Sequence, residues 1–359
     1  MKILIIHNTL PEYRVEFFNE IARISNLSIY FFKKDLNSKI YQDIDRISQL
    51  NNINIIDENI VQVLNKEKFD WIILPPFDDV YSIYLSYRII YFMKYKVKYA
   101  IFWEKWEIDI NRMSFMLKFK RFIRHMLISK IISKIDVFLS SGKKTKEYIK
   151  SLKVNDNKIK VIGDPSSTRI SNKDFNIRFH YNIDENRKII LYFGRLIYRK
   201  GLHVLIDAYS KLKNDDIYLL ICGEGENKKF FENYAANLKL KNFCFTGYIP
   251  PEKRYTFMSQ ADVFVLPSIY SNGIVEAWGL TVNESLLCGT PVIATDLVGS
   301  AFDLINNKNG VIVRENNIED LKNAIEYVLN KKYHYNDVVL TIEEFSPENV
   351  AKNFVSSLQ

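Results

Sequence analysis

The sequence predicts an α/β protein built from two parallel-sheet domains. Short apolar runs alternate with amphipathic helical stretches along the chain, a pattern typical of parallel strands joined by crossover helices. The runs are apolar without polar alternation, which indicates sheets covered by helices on both faces. With 359 residues and 47% hydrophobic content, the chain exceeds what one core usually supports. We therefore expect two domains.

The first domain is predicted at residues 1–165. Its predicted strands are residues 2–7, 27–32, 53–56, 71–74, 98–103, 136–140 and 158–162. Its predicted helices are residues 13–24, 80–93, 112–133 and 143–152. The strands and helices alternate, so the sheet is expected to be parallel.

The second domain is predicted at residues 166–345, where it opens on a polar stretch that runs from 163 to 187. Apolar residues between Leu202 and Leu212 recur at spacings of three and four, which predicts a helix with one buried face. Residues 346–359 are expected to form a C-terminal helix that returns to the first domain, with Ser346 as N-cap and Pro347 in the first turn. The predicted strands are 188–193, 217–222, 243–247, 263–266, 291–294 and 310–313.

Composition favours a cytoplasmic protein with reduced thiols. No apolar run reaches the roughly 18 residues that span a bilayer, and the N-terminus becomes polar too early for a signal peptide. The three cysteines, Cys222, Cys244 and Cys288, lie far apart in apolar segments, which favours buried thiols over a disulfide or a metal site. The five histidines show no spacing typical of metal ligands.

The positive charge is concentrated in the first half of the chain. Residues 1–165 contain 28 Lys and Arg against 19 Asp and Glu, and the remainder contains 22 against 23, within a net charge of +8. Residues 113–134 mix large apolar side chains with cations and contain no acid. Such a segment suits the headgroup layer of an anionic membrane, and it equally suits a core helix with a solvated face.

Two glutamates eight residues apart mark the most informative segment. Glu276 precedes a Trp-Gly break, and Glu284 is expected about two turns into the helix that follows. Such carboxylates can accept hydrogen bonds from two hydroxyl-bearing parts of one ligand. The backbone N–H groups of Gly279 and Leu280 at the helix start can hold an anion between them. A nucleotide-sugar has this layout.

A basic loop opens the second domain. Its first strand ends at Gly194, and Arg195, Arg199 and Lys200 follow before the next helix. Ligands bind at the carboxyl edge of parallel sheets, so these cations are expected at a ligand site. Guanidinium and ammonium groups together suit a diphosphate. Taken by itself such a loop would more often be a solvated surface, but the glutamate pair favours the binding role.

A set of motifs runs through the second domain in a fixed order. They are Phe193-Gly-Arg-Leu with Lys200-Gly, Cys222-Gly-Glu-Gly-Glu, Phe245-Thr-Gly-Tyr, Ala261-Asp-Val-Phe-Val-Leu-Pro-Ser, and the glutamate pair with Gly289-Thr-Pro-Val-Ile-Ala. Together they resemble glycosyltransferase family 4, whose members are retaining enzymes of the GT-B fold. The similarity covers nearly all of residues 187–315. It implies two Rossmann-like domains that face a cleft, with the donor held by the second.

The resemblance implies a catalytic role for three residues beside Gly194. Arg195 and Lys200 would bind the donor's phosphates, and Glu276 would hydrogen-bond hydroxyl groups of the transferred sugar. The chemistry agrees, because a carboxylate accepts two sugar hydroxyls well and cations beside a departing diphosphate stabilise the charge that develops there.

The resemblance also implies the contacts to the nucleotide. Glu284 would hold the ribose hydroxyls, and the amides of Gly279 and Leu280 would complete the phosphate site. Tyr248 and Ile249 would seat the base. The alternative for Glu284 is an ordinary carboxylate on a helix surface.

The sequence predicts no metal and no cofactor other than the nucleotide-sugar co-substrate. The other large glycosyltransferase fold holds a divalent ion with an Asp-x-Asp pair. Asp43 and Asp45 fit that spacing, but polar residues precede them in place of a buried strand. Because Arg195 and Lys200 would neutralise the diphosphate, transfer is expected to be independent of metal.

The first domain departs from the family at the loop after its first strand. Many members have a Gly-Gly loop there, whereas this chain has Pro11-Glu-Tyr-Arg14, similar to a variant of some polysaccharide-building members. Arg14 would bind an acceptor phosphate or cap the surface of the following helix. The family's Asn-Gly-Val-Asp linker is also absent, and residues 163–169 replace it.

Aromatic and acidic residues at the end of a predicted strand suggest an acceptor site. Trp103, Glu104 and Trp106 are expected to face the cleft, where rings and carboxylates suit the faces and hydroxyls of a sugar. Glu104 is also a candidate base. A tryptophan at a strand end is equally often a core residue.

The expected function is sugar transfer with retention, from a nucleoside-diphosphate donor to a glycan or lipid-linked glycan, in cell-surface polysaccharide synthesis. The protein is expected at the cytoplasmic face of the membrane, in peripheral contact with anionic lipid. By resemblance, the departing phosphate oxygen takes the acceptor's proton. A sugar-nucleotide epimerase or a phosphorylase of the same fold is the alternative. A basic nucleic-acid-binding module is disfavoured, because the cations lie in one apolar helical region without an RNA-binding signature.

Overall fold

The computed structural model describes residues 1–32, 46–93, 95–165, 175–212 and 215–359. The chain forms two compact units. Unit 1 is Met1–Thr168 with Phe345–Gln359, and unit 2 is Arg169–Glu344. Each unit contains one sheet whose strands pair in parallel, so the predicted α/β fold class is confirmed.

Unit 1 is built on a seven-stranded sheet with the order β3-β2-β1-β4-β5-β6-β7. The strands are β1 Lys2–His7, β2 Asn26–Phe31, β3 Asn54–Ile55, β4 Trp71–Leu74, β5 Lys98–Trp103, β6 Val137–Ser140 and β7 Ile159–Val161. The helices of its first stretch of chain are α1 Glu12–Ile24, α2 Ile60–Lys66, α3 Val80–Phe92, α4 Phe115–Ile132 and α5 Lys143–Ser151. β4 is apolar and buried at every position, as a strand covered on both faces requires.

Unit 2 is built on a six-stranded sheet with the order β10-β9-β8-β11-β12-β13. The strands are β8 Lys188–Phe193, β9 Ile217–Cys222, β10 Phe243–Gly247, β11 Val263–Leu266, β12 Val292–Thr295 and β13 Gly310–Val313. The helices are α6 Ile177–His180, α7 Leu202–Ser210, α8 Lys228–Asn237, α9 Arg254–Ser259, α10 Leu280–Leu287, α11 Ala301–Leu304, α12 Ile318–Asn330 and α13 Tyr335–Leu340. The strand order reverses between β8 and β11, which are neighbours in the sheet. In doubly wound folds, ligands bind at this reversal, outside the carboxyl ends of the strands.

The last helix, α14 Pro347–Ser356, packs on unit 1. The Ser346 hydroxyl caps it by accepting a hydrogen bond from the Asn349 N–H at 3.3 Å, and Pro347 occupies the first turn. Its apolar face joins the core around α1. The rings of Phe354 and Phe17 meet edge to face with centroids 5.7 Å apart.

The boundary of α4 differs from the prediction at its start. The helix begins at Phe115, with Ser114 as its N-cap, because a separate 3₁₀ turn forms at Ile110–Arg112. Within the described residues, no helix is long and apolar enough to cross a bilayer. Cys222 and Cys288 are buried free thiols, and Cys244 is a half-buried one.

Candidate active site

The basic loop after β8 is held in a tight turn. Tyr198–Lys200 forms a 3₁₀ turn, and Gly201 follows it with φ of 69°. A Cβ at Gly201 would lie 1.8 Å from the Pro267 carbonyl oxygen, so only glycine lets the loop approach the segment after β11 this closely. The Ile269 N–H also donates to the Arg199 carbonyl at 2.9 Å. The loop after β8 is therefore fixed to the segment that follows β11.

Glu276 lies opposite this turn and forms ion pairs with it. Its Oε2 is 2.7 Å from Lys200 Nζ and 3.1 Å from an Arg199 guanidinium nitrogen. The Ser268 hydroxyl donates to the same oxygen at 3.4 Å. The backbone is also held, because the Glu276 N–H donates to the Leu297 carbonyl at 3.1 Å. The carboxylate thus has a fixed position at the reversal of strand order.

Electrostatics keep Glu276 ionised. Burial by itself would raise the pKa of this carboxyl, but the charges and hydrogen bonds of Lys200 and then Arg199 outweigh burial and hold the pKa below its ordinary value. A buried carboxylate that stays negative at neutral pH accepts hydrogen bonds from hydroxyl groups. The cations that neutralise it can also bind phosphate oxygens.

The structure brings together some of the residues that the sequence predicted. Lys200 and Glu276 are in direct contact. The Arg195 side chain is exposed and forms no ion pair within the part of the chain that the structure describes, while its carbonyl accepts a hydrogen bond from the buried Tyr192 hydroxyl at 2.9 Å. Arg199, which the sequence placed in the basic loop without a role, is the second cation on Glu276. The sequence feature that could have revealed Arg199 is its position next to Lys200.

The Trp-Gly break sets the start of the next helix. Gly279 has φ of 92° and caps α10, and a Cβ there would lie 2.9 Å from Val298 Cγ1. The Trp278 indole N–H donates to the Asn283 side-chain oxygen at 2.9 Å, which ties the break to the first turn of the helix. Leu280 is the first helical residue, so its amide lies at the N-terminus as predicted.

Glu284 is nearer the start of the helix than the sequence predicted. It lies about one turn into α10, because the helix is only eight residues long and begins at Leu280. Its side chain is 3% exposed and forms an ion pair with Arg254, the first residue of α9. The interpretation as an ordinary surface carboxylate is therefore wrong. A buried carboxylate needs such a partner, and no sequence pattern singles out Arg254.

Tyr248 and Ile249 follow β10 at the same edge of the sheet. Gly247 ends the strand with φ of 77°, and Tyr248 beyond it is largely exposed. The loops after β8, β10 and β11 all leave the carboxyl ends of parallel strands, so the residues proposed for nucleotide and sugar share one edge of unit 2.

The predicted acceptor tryptophans are core residues. Trp103 is 0% exposed, and its ring meets Phe77 and Tyr148 edge to face at 5.5 and 5.4 Å. Trp106 is buried as well. For Trp103 the expected contact with an acceptor sugar is wrong, because packing against two neighbouring aromatic rings removes it from the surface. For Trp106 that contact stays a prediction. The alternative of a core role applies to Trp103.

The structure contradicts one of the two roles predicted for Arg14. Its side chain is 1% exposed and pairs with Asp164 at 2.9 Å and with the half-buried Glu104. Its guanidinium also lies over the Phe102 ring at 4.7 Å. A role as a surface cap is therefore wrong, and binding of an acceptor phosphate stays a prediction. Glu104 is likewise engaged with Arg14, and sequence reasoning missed Asp164 altogether.

Possible metal ligands can be assessed only among the residues that the structure describes. Asp43 and Asp45 lie outside the described residues. Among the residues described, no three His, Cys, Asp or Glu side chains form a group that could hold a metal ion. Of the linker at residues 163–169, the described part ends at Pro165, and Gly163 packs against Phe345 within unit 1.

Comparison with known families identifies the domain that holds this site. Residues 173–341 match the family Glycosyl transferases group 1, and they include Arg195, Lys200, Glu276 and Glu284. This segment is similar to a glycosyltransferase group 1 domain.

Similar curated proteins are glycosyltransferases. An uncharacterised glycosyltransferase of Methanocaldococcus jannaschii is 29% identical over 189 residues, 50% of this chain and 47% of that protein. A lipopolysaccharide core biosynthesis glycosyltransferase of Rhizobium meliloti is 30% identical over 142 residues, 39% of each chain. The chain spans about half the length of two M. jannaschii relatives that it matches.

Solved structures with the same fold cover the whole chain. The apo form of the lipopolysaccharide outer core galactosyltransferase WaaB has a TM-score of 0.75 at 18% identity over 99% of both chains. Anabaena HepE in complex with UDP and glucose has a TM-score of 0.74 at 13% identity, covering 100% of this chain and 99% of that one. At these identities the likeness shows the fold.

Proposed function

We propose that the protein is a retaining glycosyltransferase that moves a sugar from a nucleoside-diphosphate donor to a glycan or lipid-linked glycan during polysaccharide synthesis. The observation that carries the proposal is the contact of Glu276 with Lys200 and Arg199 at the reversal of strand order. An ionised carboxylate and two cations in one place match the hydroxyls and the diphosphate of a nucleotide-sugar.

The donor would be held by unit 2 through three kinds of contact. Lys200 and the exposed Arg195 would bind the diphosphate together with the amides at the start of α10. Glu276 would accept hydrogen bonds from hydroxyls of the sugar. Glu284 would do the same for the ribose, and Tyr248 and Ile249 would flank the base. Cations beside the leaving group would suit a transfer that needs no metal.

The transfer step would exchange one bond for another on the same face of the sugar. The bond between the anomeric carbon and the phosphate oxygen breaks, and a bond from that carbon to the acceptor oxygen forms. The acceptor's proton goes to the departing phosphate oxygen. Lys200 and Arg195 would stabilise the negative charge that develops on the diphosphate, and preorganised donors of this kind contribute roughly 3 to 4 kcal/mol each.

A panel of donors tests this function on the wild-type protein. Incubation with UDP-, GDP- and ADP-sugars and an acceptor extract is expected to release one nucleoside diphosphate and to form an α-linked product from an α-linked donor. EDTA is expected to leave the rate unchanged. Release with none of the donors would refute the function, an inverted product would refute retention, and loss with EDTA that Mn²⁺ restores would refute metal independence.

Unit 1 would bring the enzyme to an anionic membrane. On α4, Phe115, Phe119, Phe122 and Met126 recur at spacings of three and four and form one exposed stripe, with Phe115 itself 86% exposed. Lys118 and Lys130 lie at positions that flank this stripe. A helix with exposed aromatic side chains between cations fits the headgroup layer of an anionic leaflet. The alternative of a core helix accounts for Ile128 and Ile131 alone.

Vesicle flotation tests the membrane contact. The wild type is expected to float with phosphatidylcholine vesicles that contain phosphatidylglycerol and to float poorly with phosphatidylcholine alone. Phe119→Ser with Phe122→Ser is expected to weaken flotation about 10-fold or more, since each buried CH₂ contributes about 0.8 kcal/mol. Phe179→Ser, at an exposed site in unit 2, is the matched control. Equal flotation of both variants would contradict the proposal.

A further inference from the structure

A cluster of cations lies at the carboxyl edge of the sheet in unit 1. Lys105 and Glu107 directly follow β5, Asp78 follows β4, and Arg121 and Arg124 project from α4. We call Lys105, Arg121 and Arg124 the cation cluster. Parallel sheets place ligand sites at this edge, and nothing in the donor site uses these residues.

The arginines of the cation cluster are fixed by one carboxylate. Arg121 Nε donates to Glu107 Oε2 at 2.6 Å, and Arg124 pairs with the other oxygen of the same carboxylate. Arg124 also donates to the Tyr148 hydroxyl at 2.9 Å. Its Nε is buried and has no acceptor among the residues described. The two guanidinium groups thus have a set orientation, and their donors outnumber the acceptors around them.

Lys105 adds a charge that this carboxylate does not neutralise directly. It is half-buried, and no carboxylate lies within salt-bridge distance of it in the described parts of the chain. Burial lowers its pKa first, and the positive charge of Arg124 lowers it further against the smaller influences of Asp78 and Glu107. The neighbouring His125 has its pKa lowered to about 4 by burial and by Arg121. In both cases burial is the larger cause, and a neighbouring guanidinium adds to it.

We propose that the cation cluster binds a phosphate or diphosphate group carried by the acceptor. The inference rests on the proposed transferase function and narrows its acceptor to a phosphate-bearing one. Two oriented guanidiniums and an ammonium without a salt bridge match the several oxygens of a phosphate better than a neutral sugar, which needs acceptors as well as donors.

The position of the two cluster arginines on α4 is consistent with an acceptor anchored in lipid. Arg121 and Arg124 lie on the side of the helix that pairs with Glu107, and the exposed stripe of Phe115, Phe119 and Phe122 lies on the other. One helix would then contact the lipid surface with one face and the acceptor's phosphate with the other.

Binding of inorganic pyrophosphate to the full-length protein tests the site. By calorimetry, the wild type is expected to bind two equivalents. Lys105→Gln is expected to lose one of them, weakened about 10-fold or more, which corresponds to one charge-assisted hydrogen bond. Lys105→Arg is expected to restore it, and Lys120→Gln, an exposed change on the same helix, is expected to bind as the wild type does. Because Lys105 has no salt bridge, its replacement leaves Glu107 paired.

The second equivalent of pyrophosphate is expected to bind at the donor site. The two sites can therefore be tested separately, and a failure of one proposal can be told from a failure of the other. Arg195→Ala is expected to lose only that equivalent, so a failure of the donor site leaves the Lys105 result interpretable. Unchanged pyrophosphate binding in Lys105→Gln, or an equal loss in Lys120→Gln, would overturn the inference.

Flotation on phosphatidylcholine–phosphatidylglycerol vesicles separates two sources of phosphate. Flotation of Lys105→Gln at the wild-type level, together with its lost pyrophosphate binding, assigns the cation cluster to the acceptor. A loss of flotation as large as the loss of pyrophosphate binding would assign it to phospholipid headgroups and overturn the acceptor assignment.

Discussion

At the scale of single residues, the ion pair of Glu276 with Lys200 is costly unless it has a use. Burying two charges rarely stabilises a fold more than apolar residues of the same size would. This pair joins the loops after two neighbouring strands. When a ligand binds there, Glu276 can exchange its contact with Lys200 for hydroxyl groups, and Lys200 can exchange its contact with Glu276 for phosphate oxygens. The arrangement therefore fits binding better than stability.

The pH dependence of activity follows from the same contact. Glu276 must be ionised to accept hydroxyl hydrogen bonds, and Arg199 helps to hold the pKa of this carboxyl below its ordinary value. Arg199→Met is expected to raise that pKa, so activity is lost at a higher pH as the solution is acidified. The acid limb of kcat/KM measures the shift. The exposed change Lys229→Met should leave the limb in place, and an unmoved limb in Arg199→Met would contradict the assignment.

The turn at Gly201 gives a second prediction at this scale. Gly201→Ala places a Cβ 1.8 Å from a backbone carbonyl oxygen at a positive φ, so unit 2 is expected to lose about 2 kcal/mol or more of unfolding free energy. At Gly194, in the same loop, the nearest atom to an added Cβ is 3.8 Å away. Gly194→Ala is the control and is expected to keep the wild-type melting temperature. Equal melting temperatures for both variants would show that the turn is not strained.

At the scale of elements, the strands were predictable because they are continuous apolar runs between polar turns. Every predicted strand is present, with ends that agree to within one residue. Predictions for single residues failed where the same sequence pattern fits both a ligand site and the hydrophobic core. Trp103 ends a strand, and whether such a ring faces a ligand or the core depends on Phe77 and Tyr148, which are distant in sequence.

The proposed donor site was predictable only in part, because sequence motifs mark some of its residues and not the partners of others. Lys200 and Glu276 stand in two motifs that favour a binding role only when they are taken together, and the structure places them in contact. Arg254 and Asp164 were missed because they act through partners on other elements, and a lone cation or acid in sequence does not reveal its partner.

The C-terminal helix gives a prediction at this scale. Phe354 is 1% exposed in the core around α1, so Phe354→Ala is expected to destabilise unit 1 by about 3 to 5 kcal/mol. Denaturant unfolding measures the change. Phe179→Ala, at a side chain 86% exposed in unit 2, should have little effect. A loss confined to the unfolding transition of unit 2 would contradict the packing of α14 on unit 1.

At the scale of the whole molecule, buried histidines predict a loss of stability in acid. Burial and the nearby Arg14 lower the pKa of His7 to about 4, and His125 is shifted as far. These groups ionise in the unfolded chain near pH 6.5 but in the folded chain only near pH 4. Stability is therefore complete above pH 6.5 and falls as the pH drops towards 4, by up to about 1.4 kcal/mol per pH unit for each histidine.

Chemical denaturation at a series of pH values measures this slope. His7→Asn is expected to make it shallower, and His334→Asn, at an exposed histidine, is expected to leave it unchanged. A flat stability between pH 6.5 and 4, or an unaltered slope in His7→Asn, would contradict the prediction.

The two proposed functions lie in separate units. Unit 2 contains the segment similar to the group 1 family and the proposed donor site, and unit 1 contains the exposed stripe of α4 and the cation cluster. The positive excess of the first 165 residues is consistent with that division, because the proposed contacts of unit 1 are all with anions.

The most direct test of the central claim is turnover by variants of the donor site. With the donor that the wild type uses, Glu276→Gln and Arg195→Ala are each expected to lower kcat about 100- to 1000-fold while the circular dichroism spectrum and melting temperature stay those of the wild type. Lys229→Met is expected to turn over normally. Near-normal rates in both site variants would contradict the account.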